Sequence, residues 1–154
     1  MIPEAIVIRP FGPADASAVS SLVRQVFDAH VAASFEPEGI AEMHAHIAPE
    51  AIAERTRAHR TFVAWRGVQA VGVIEVQDTD HVSMLFVRTS YMGLGIATAL
   101  MARAEEACRA AGCPKMTVHS SLNAQSFYER LGFVPASEPQ RAHGFAFVPM
   151  EKRL

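Results

Sequence analysis

The segment YMGLGIATAL, residues 91–100, sets glycines at 93 and 95 directly before an apolar helical pattern. A helix N-terminus leaves backbone N–H groups unpaired and carries about half a positive charge, so a glycine-lined approach to it can receive an anion such as a phosphate. Glycine lets a ligand reach the backbone with no side chain in between. Two nucleotide fingerprints do not fit. A dinucleotide turn would place a third glycine where Thr98 stands and an acidic residue about 20 positions on, where the chain reads CPKMTV; a Walker loop would need Gly-Lys-Ser/Thr. A tight strand-to-helix turn accounts for the same two glycines, so other residues must decide.

Titratable side chains supply the next candidates. Glu75, in the run VGVIEVQ, should face either solvent or a cleft, and His81 and His119 titrate in the range useful for proton transfer. His119 stands two residues before Ser121 and therefore on the same side of an extended strand. His44 and His46, two apart on a helical pattern, point in different directions, so no shared metal is expected. Cys108 and Cys113 lack further cysteines to complete a zinc set and are expected to be reduced thiols.

The elements that position these groups follow from periodicity and turn residues. EAIVIRP reads as a short strand. Gly12 and Pro13 then cap a helix carrying Val19, Leu22, Val23, Val26, Phe27 and Val31 on one face. Pro49 divides residues 37–59 into two short helices. Residues 61–66, 69–77 and 81–87 form a three-strand meander, turned at Arg66-Gly67 and Asp78-Thr79-Asp80. A helix from Gly93 to about Ala111 follows, with Glu105 and Arg109 as a solvent-face pair. Strand KMTVHSS, short helix NAQSFYERL and closing strand FAFVPME complete the order. The expectation is one α/β domain of mixed α+β type over residues 1–154, with a mostly antiparallel mixed sheet and helices on both faces. Its strand–helix–strand unit over 81–120 should be parallel, with ligands at the carboxyl ends of the strands.

The 154 residues are 50% hydrophobic with a formal charge of -2, which fits one compact core and offers no electrostatic footprint for nucleic acid or an anionic membrane. No apolar run approaches the roughly 20 residues of a membrane span, and MIPEAIVIRP lacks the features of a signal peptide, so a cytoplasmic location is expected.

A second motif then meets the glycine pair. VRTSYMGLGIATALM, followed by SLNAQSFYERLGF, resembles the GNAT superfamily of acetyl-CoA-dependent N-acetyltransferases. The first motif of that superfamily, Gln/Arg-x-x-Gly-x-Gly/Ala, reads here Met92-Gly93-Leu94-Gly95-Ile96-Ala97; the second, Ala-x-x-Phe-Tyr-x-x-x-Gly-Phe, is matched by Ala124, Phe127, Tyr128, Gly132 and Phe133. The resemblance implies a coenzyme A pyrophosphate on the N–H groups of Gly93, Leu94, Gly95, Ile96, Ala97 and Thr98, and a pantetheine arm bonded like an added strand to Leu85, Phe86 and Val87. Met92 and Leu94 depart from the usual Gln/Arg and Lys/Arg, leaving the backbone to carry the phosphates, and Ser121 replaces a common Asn near the pantetheine.

Acetyl transfer to an amine requires a neutral amine, donors for a developing oxyanion and a proton for the departing thiolate. Tyr128 matches the position of the superfamily's common general acid, although Ala124, Phe127, Tyr128 and Leu131 also form an apolar stripe. The oxyanion donor is expected near Phe86, at an irregularity of the fourth strand. Glu75 is the first candidate base, with His119 and His81 as the others. The segment joining the first helix to the second strand usually shapes the acceptor site in the superfamily. Here it carries Phe35, Glu36, Glu38, Glu42 and His44, whose acids would either attract a cationic amine or be solvated on helix surfaces. A non-catalytic acyl-CoA sensor is the alternative reading, and the strand GFAFVPME offers a route to a homodimer.

Overall fold

The computed structural model describes residues 5–78, 80–142 and 144–154; Glu4 and Thr79, within an expected strand and turn, lie outside them. The chain begins with β1 (Ile6–Pro10), α1 (Ala16–Val26) prolonged by a π-helical turn at Phe27–Val31, α2 (Pro37–His46) and α3 (Pro49–Arg55). Then come β2 (Arg60–Arg66), β3 (Gln69–Gln77), β4 (His81–Val87), α4 (Ile96–Ala110) and β5 (Lys115–Ser121). It closes with α5 (Gln125–Arg130), β6 (Val134–Pro135), β7 (Gln140–Ala142) and β8 (Phe145–Arg153). One eight-stranded sheet runs in the order β1-β2-β3-β4-β5-β8-β6, with β7 also on β8. Among the described strands only β4 and β5 pair in parallel. The mixed α/β class, with a mostly antiparallel sheet between helices, is the observed architecture.

Each face of the sheet carries its own core. Val19, Leu22, Val23 and Val26 of α1 bury against Val63, Trp65, Val73 and Met84 on one side. Ile96, Leu100, Met101, Ala104 and Cys108 of α4 bury on the other, with Tyr128 and Phe133. Gly72 sets the distance of α4 from the sheet, since a Cβ there would lie 3.0 Å from both Ile96 Cγ2 and Leu100 Cδ1. At the other helix, the Gly12 N–H donates to Asp15 Oδ2 at 2.8 Å, anchoring the start of the segment as the Gly-Pro pair suggests.

Four details differ from the sequence reading. Helix α4 starts at Ile96 instead of Gly93, because Gly93 (φ 79°) and Gly95 (φ 84°) both hold left-handed backbone that a helix cannot include. Glu105 is buried instead of solvent-facing, and Lys152 Nζ donates to it at 2.7 Å alongside Arg109 at 3.5 Å. Strands β6 and β7 occupy residues to which the sequence assigns no element. They pair with β8 on its side away from β5, at Phe145–Phe147 and at Met150 and Glu151, so they occupy much of the edge through which pairing between copies was expected.

The feature that makes a site is a short pairing. β4 and β5 meet only at His81↔Thr117 and Val82↔Val118, whereas β5 follows β8 through all seven of its residues. At that point the β3–β4 register passes from Val76↔Val82 to Glu75↔Met84, leaving Ser83 as an extra residue. A bulge bends its strand and raises its twist, which carries the rest of β4 away from β5 and opens a gap in the middle of the sheet.

Candidate active site

Two adjoining cavities lie along this gap and the loop that follows β4. One, of about 410 Å³, lies over the glycine loop and is lined by Gly93, Gly95, Ile96, Ala97 and Thr98, with Phe127, Arg130 and Leu131 of the α5 region opposite. The other, of about 370 Å³, runs between residues 82–87 of β4 and Val118, His119 and Ser121 beyond it, with Tyr128 at its wall and Phe27, His30, Phe35, Met43 and Phe145 on the far side. Val87 and Met92 line both and join them.

The glycine loop leaves open backbone at the start of a helix. Left-handed Gly95 caps the 15-residue α4, whose first N–H groups, on Ile96, Ala97 and Thr98, have no carbonyl of the preceding turn to bond. No atom lies within 4 Å of where a Cβ on Gly93 would stand, so the space above it is open. Met92 and Leu94 are exposed and bring no charge. Arg130, not singled out in the sequence, lines the same cavity. Its signal was the arginine inside FYERLGF, two positions after Tyr128.

Strand β4 supplies backbone groups on the gap side. The Arg88 N–H donates to Val71 O at 2.8 Å, and the register pairs Phe86 with Val73 in the same hydrogen-bonding class. The Phe86 N–H thus turns toward β3, while those of Leu85 and Val87 turn toward the gap. Phe86 packs its ring against the α1 core. The irregularity expected near Phe86 lies instead at Ser83, because the bulge follows from the pairing of β3 with β4 and has no signature within β4 itself.

Tyr128, His119 and Ser121 come together on the second cavity. Phe127 and Phe133 hold the Tyr128 ring edge-on at 5.2 and 5.6 Å, and burial pushes its phenol up to about 12. His119 stacks on Phe147 at 4.4 Å and meets His81 edge-on at 4.7 Å. Burial lowers its pKa, favouring the neutral imidazole. His81 shares a 2.7 Å hydrogen bond with Thr117 Oγ1 and does not line the cavity; burial first, then His119, lowers its pKa as well.

Glu75 faces neither solvent nor cleft. Its side chain is 0% exposed, and Arg55 Nε donates to both carboxylate oxygens at 3.1 and 3.0 Å. Ser83 Oγ lies 2.6 Å from Oε1. A buried carboxylate must be paired, and its partner comes from α3, on the preceding segment. Glu75 therefore pins the bulge residue and takes no place at the gap, which removes it as the first candidate base.

The acidic acceptor residues also stand away from the cavity. Glu36 pairs with Arg141 at 3.3 Å, His44 with Asp28 at 2.8 Å, and neither Glu38 nor Glu42 lines it. Phe35 does, stacked on Phe145 at 4.5 Å. His46 sits by Arg55, its pKa lowered by burial and by that guanidinium. Among the described residues no three His, Cys, Asp or Glu side chains gather as metal ligands, and no helix is long and apolar enough to cross a membrane.

The family model described as acetyltransferase (GNAT) domain matches residues 31–154. A solved GCN5-related N-acetyltransferase from Rhodopseudomonas palustris is similar over 100% of this chain and 99% of its own, with a TM-score of 0.83 and 26% identity. The PaiA N-acetyltransferase of Thermoplasma acidophilum, solved in complex with coenzyme A, shares the fold at a TM-score of 0.81 and 18% identity, over 97% of this chain and 99% of its own. The N-alpha-acetyltransferase MAK3 of Arabidopsis thaliana is 34% identical over 85 residues, 49% of this chain and 45% of that protein. The match thus spans less than half of that relative's length.

Proposed function

The chain belongs to the GNAT acetyltransferase family, and on that premise we propose that it moves an acetyl group from acetyl-CoA to a primary amine by direct attack within the gap between β4 and β5. The observation that carries this reading is the parting of these strands after Val82 and Val118, with an anion-receiving helix end at one end of the gap and Tyr128 and His119 at the other. A primary amine as acceptor agrees with the name of the Arabidopsis relative.

The residues present fit coenzyme A. The N–H groups of Ile96, Ala97 and Thr98, with the open backbone of Gly93 and the cavity-lining Gly95, suit a pyrophosphate, and Arg130 adds the charge that Met92 and Leu94 do not. Leu85 and Val87 present free backbone groups to a pantetheine arm, which can bond there as an extra strand, and Ser121 adds a hydroxyl from β5. The bound thioester supplies the activated acetyl group; the protein supplies position and protons.

Neutral His119 takes the amine proton, directly or through water. A gap-facing N–H of β4, on Leu85 or Val87, donates to the developing oxyanion. Tyr128 keeps its proton until the thiolate forms, then donates to sulfur. The same apolar surroundings that push the phenol up also raise a thiol above its usual value of about 8.5, which keeps donor and leaving group closer in acidity than their separate values suggest.

The test is coenzyme A release and acetyl-amine formation, followed by mass spectrometry over a broad amine panel. Tyr128→Phe should lower kcat by about 100-fold, with the KM for acetyl-CoA little changed. Thermal stabilisation by acetyl-CoA with no turnover of any amine would instead make the chain a sensor.

A further inference from the structure

We infer that the acceptor amine is carried on an aromatic body, an arylalkylamine in chemical class, and that polycations are excluded; this rests on the acetyl-transfer reading of the site. The far wall of the second cavity is part of a stack of rings. Phe35 and Phe145 lie 4.5 Å apart at 19°, Phe145 and Phe147 6.1 Å at 16°, and Phe147 and His119 4.4 Å at 22°. Three elements far apart in sequence build it: the segment before α2, β8 and β5. It ends on the imidazole that faces the gap.

The geometry of the stack decides what it can bind. Phe145 is flanked by two near-parallel rings, Phe35 at 4.5 Å and Phe147 at 6.1 Å, and on that placement we take its edge as the part it turns to the cavity it lines. Ring edges carry the positive end of the aromatic quadrupole, which repels an ammonium group and attracts the π-face of another ring. The usual cation-binding cage needs the opposite arrangement, with faces exposed.

Charge points the same way. Among the described residues lining the cavity there is no Asp or Glu, and the titratable side chains besides Tyr128 are His30 and His119. Glu36, next to Phe35, is turned to Arg141. A polyamine would have to desolvate its remaining ammonium groups here with no counter-charge, whereas an aryl ring replaces water along an apolar wall. With its ring against the Phe145 edge, an arylalkylamine directs its nitrogen along the stack toward His119.

Two measurements separate this inference from the reading beneath it. Initial rates with saturating acetyl-CoA are compared for 2-phenylethylamine, hexylamine and spermidine, and binding of each amine to the coenzyme A-saturated protein is measured by calorimetry. The phenyl compound should exceed both others by about tenfold in kcat/KM and in affinity, and Phe145→Leu, which keeps the apolar volume, should bring the phenylethylamine-to-hexylamine ratio close to one. A preference for spermidine, or a ratio unmoved by Phe145→Leu, would overturn the inference and leave acetyl transfer standing. Should no amine be acetylated while phenylethylamine still binds preferentially and the preference goes with Phe145→Leu, the aromatic pocket stands and the transfer reading falls.

Discussion

Replacing Arg55 by Met should strip Glu75 of its counter-charge. The carboxylate is 0% exposed and would keep only the Ser83 hydroxyl, 2.6 Å away, and His59 Nδ1 at 3.8 Å. Breaking a buried pair by removing one partner costs about 3–5 kcal/mol, because the remaining charge stays out of water. In a chain of 154 residues each kcal/mol moves the melting temperature by about 2–4 °C, so Arg55→Met should melt roughly 6–20 °C lower. Removing both charges, in Arg55→Met with Glu75→Met, should restore most of that loss, since apolar replacement of a buried pair is often neutral. Thermal unfolding of the two single variants and the double variant measures the cycle, and kcat is recorded on the same samples. The double variant should keep kcat within a few fold of the parent. A double variant that melts like the parent yet loses kcat by about 100-fold would return Glu75 to the role of base; an Arg55→Met protein with unchanged melting would refute the buried-charge argument.

With His119 as the proposed base, that imidazole sets the pH behaviour of turnover. Burial holds its pKa below 6.5, so kcat should rise to a plateau through an apparent pKa under that value. The plateau should persist into alkaline buffers because Tyr128 titrates only at about 12, and the acid limb should vanish in His119→Ala. Folding stability follows the same sign. His46, His81 and His119 all have lowered pKa values in the folded state, so as pH falls through 6.5 the unfolded chain takes up protons first. Stability should be full above 6.5 and decline below it, levelling off under the folded-state values; a melting temperature flat from pH 7.5 down to about 5 would contradict this. At the glycine loop, Gly93→Val places a branched side chain on left-handed backbone and into the space left for the phosphates. Calorimetry should show it weakening acetyl-CoA binding far more than Met92→Ala, and equal losses would refute a backbone-held pyrophosphate.

Much of the framework was legible because it rests on local patterns. The three-strand meander was bounded to within one residue, since alternation and the turn at Arg66-Gly67 are both written in adjacent positions. Strands β6 and β7 were not, because Val134–Pro135 and Gln140–Ala142 are exposed and owe their extended form to pairing with β8. The bulge at Ser83 and the partnership of Glu75 with Arg55 depend on which segments meet, which a run of residue types does not record. Glu75 was therefore visible as a charge in an apolar strand, while the arginine that neutralises it was hidden 20 residues away. The ring stack shows the same limit: Phe35, His119, Phe145 and Phe147 share no motif, and only the fold makes them neighbours.

Amide hydrogen exchange resolved by residue, with and without acetyl-CoA, tests the central claim most directly. The amides of Leu85 and Val87, which turn to the gap, and those of residues 93–98 should gain protection on binding. Phe86, already bonded to β3, should change little. Protection gained at Phe86 but not at its two neighbours, or a glycine loop left untouched, would contradict a cofactor laid along β4 with its phosphates on α4.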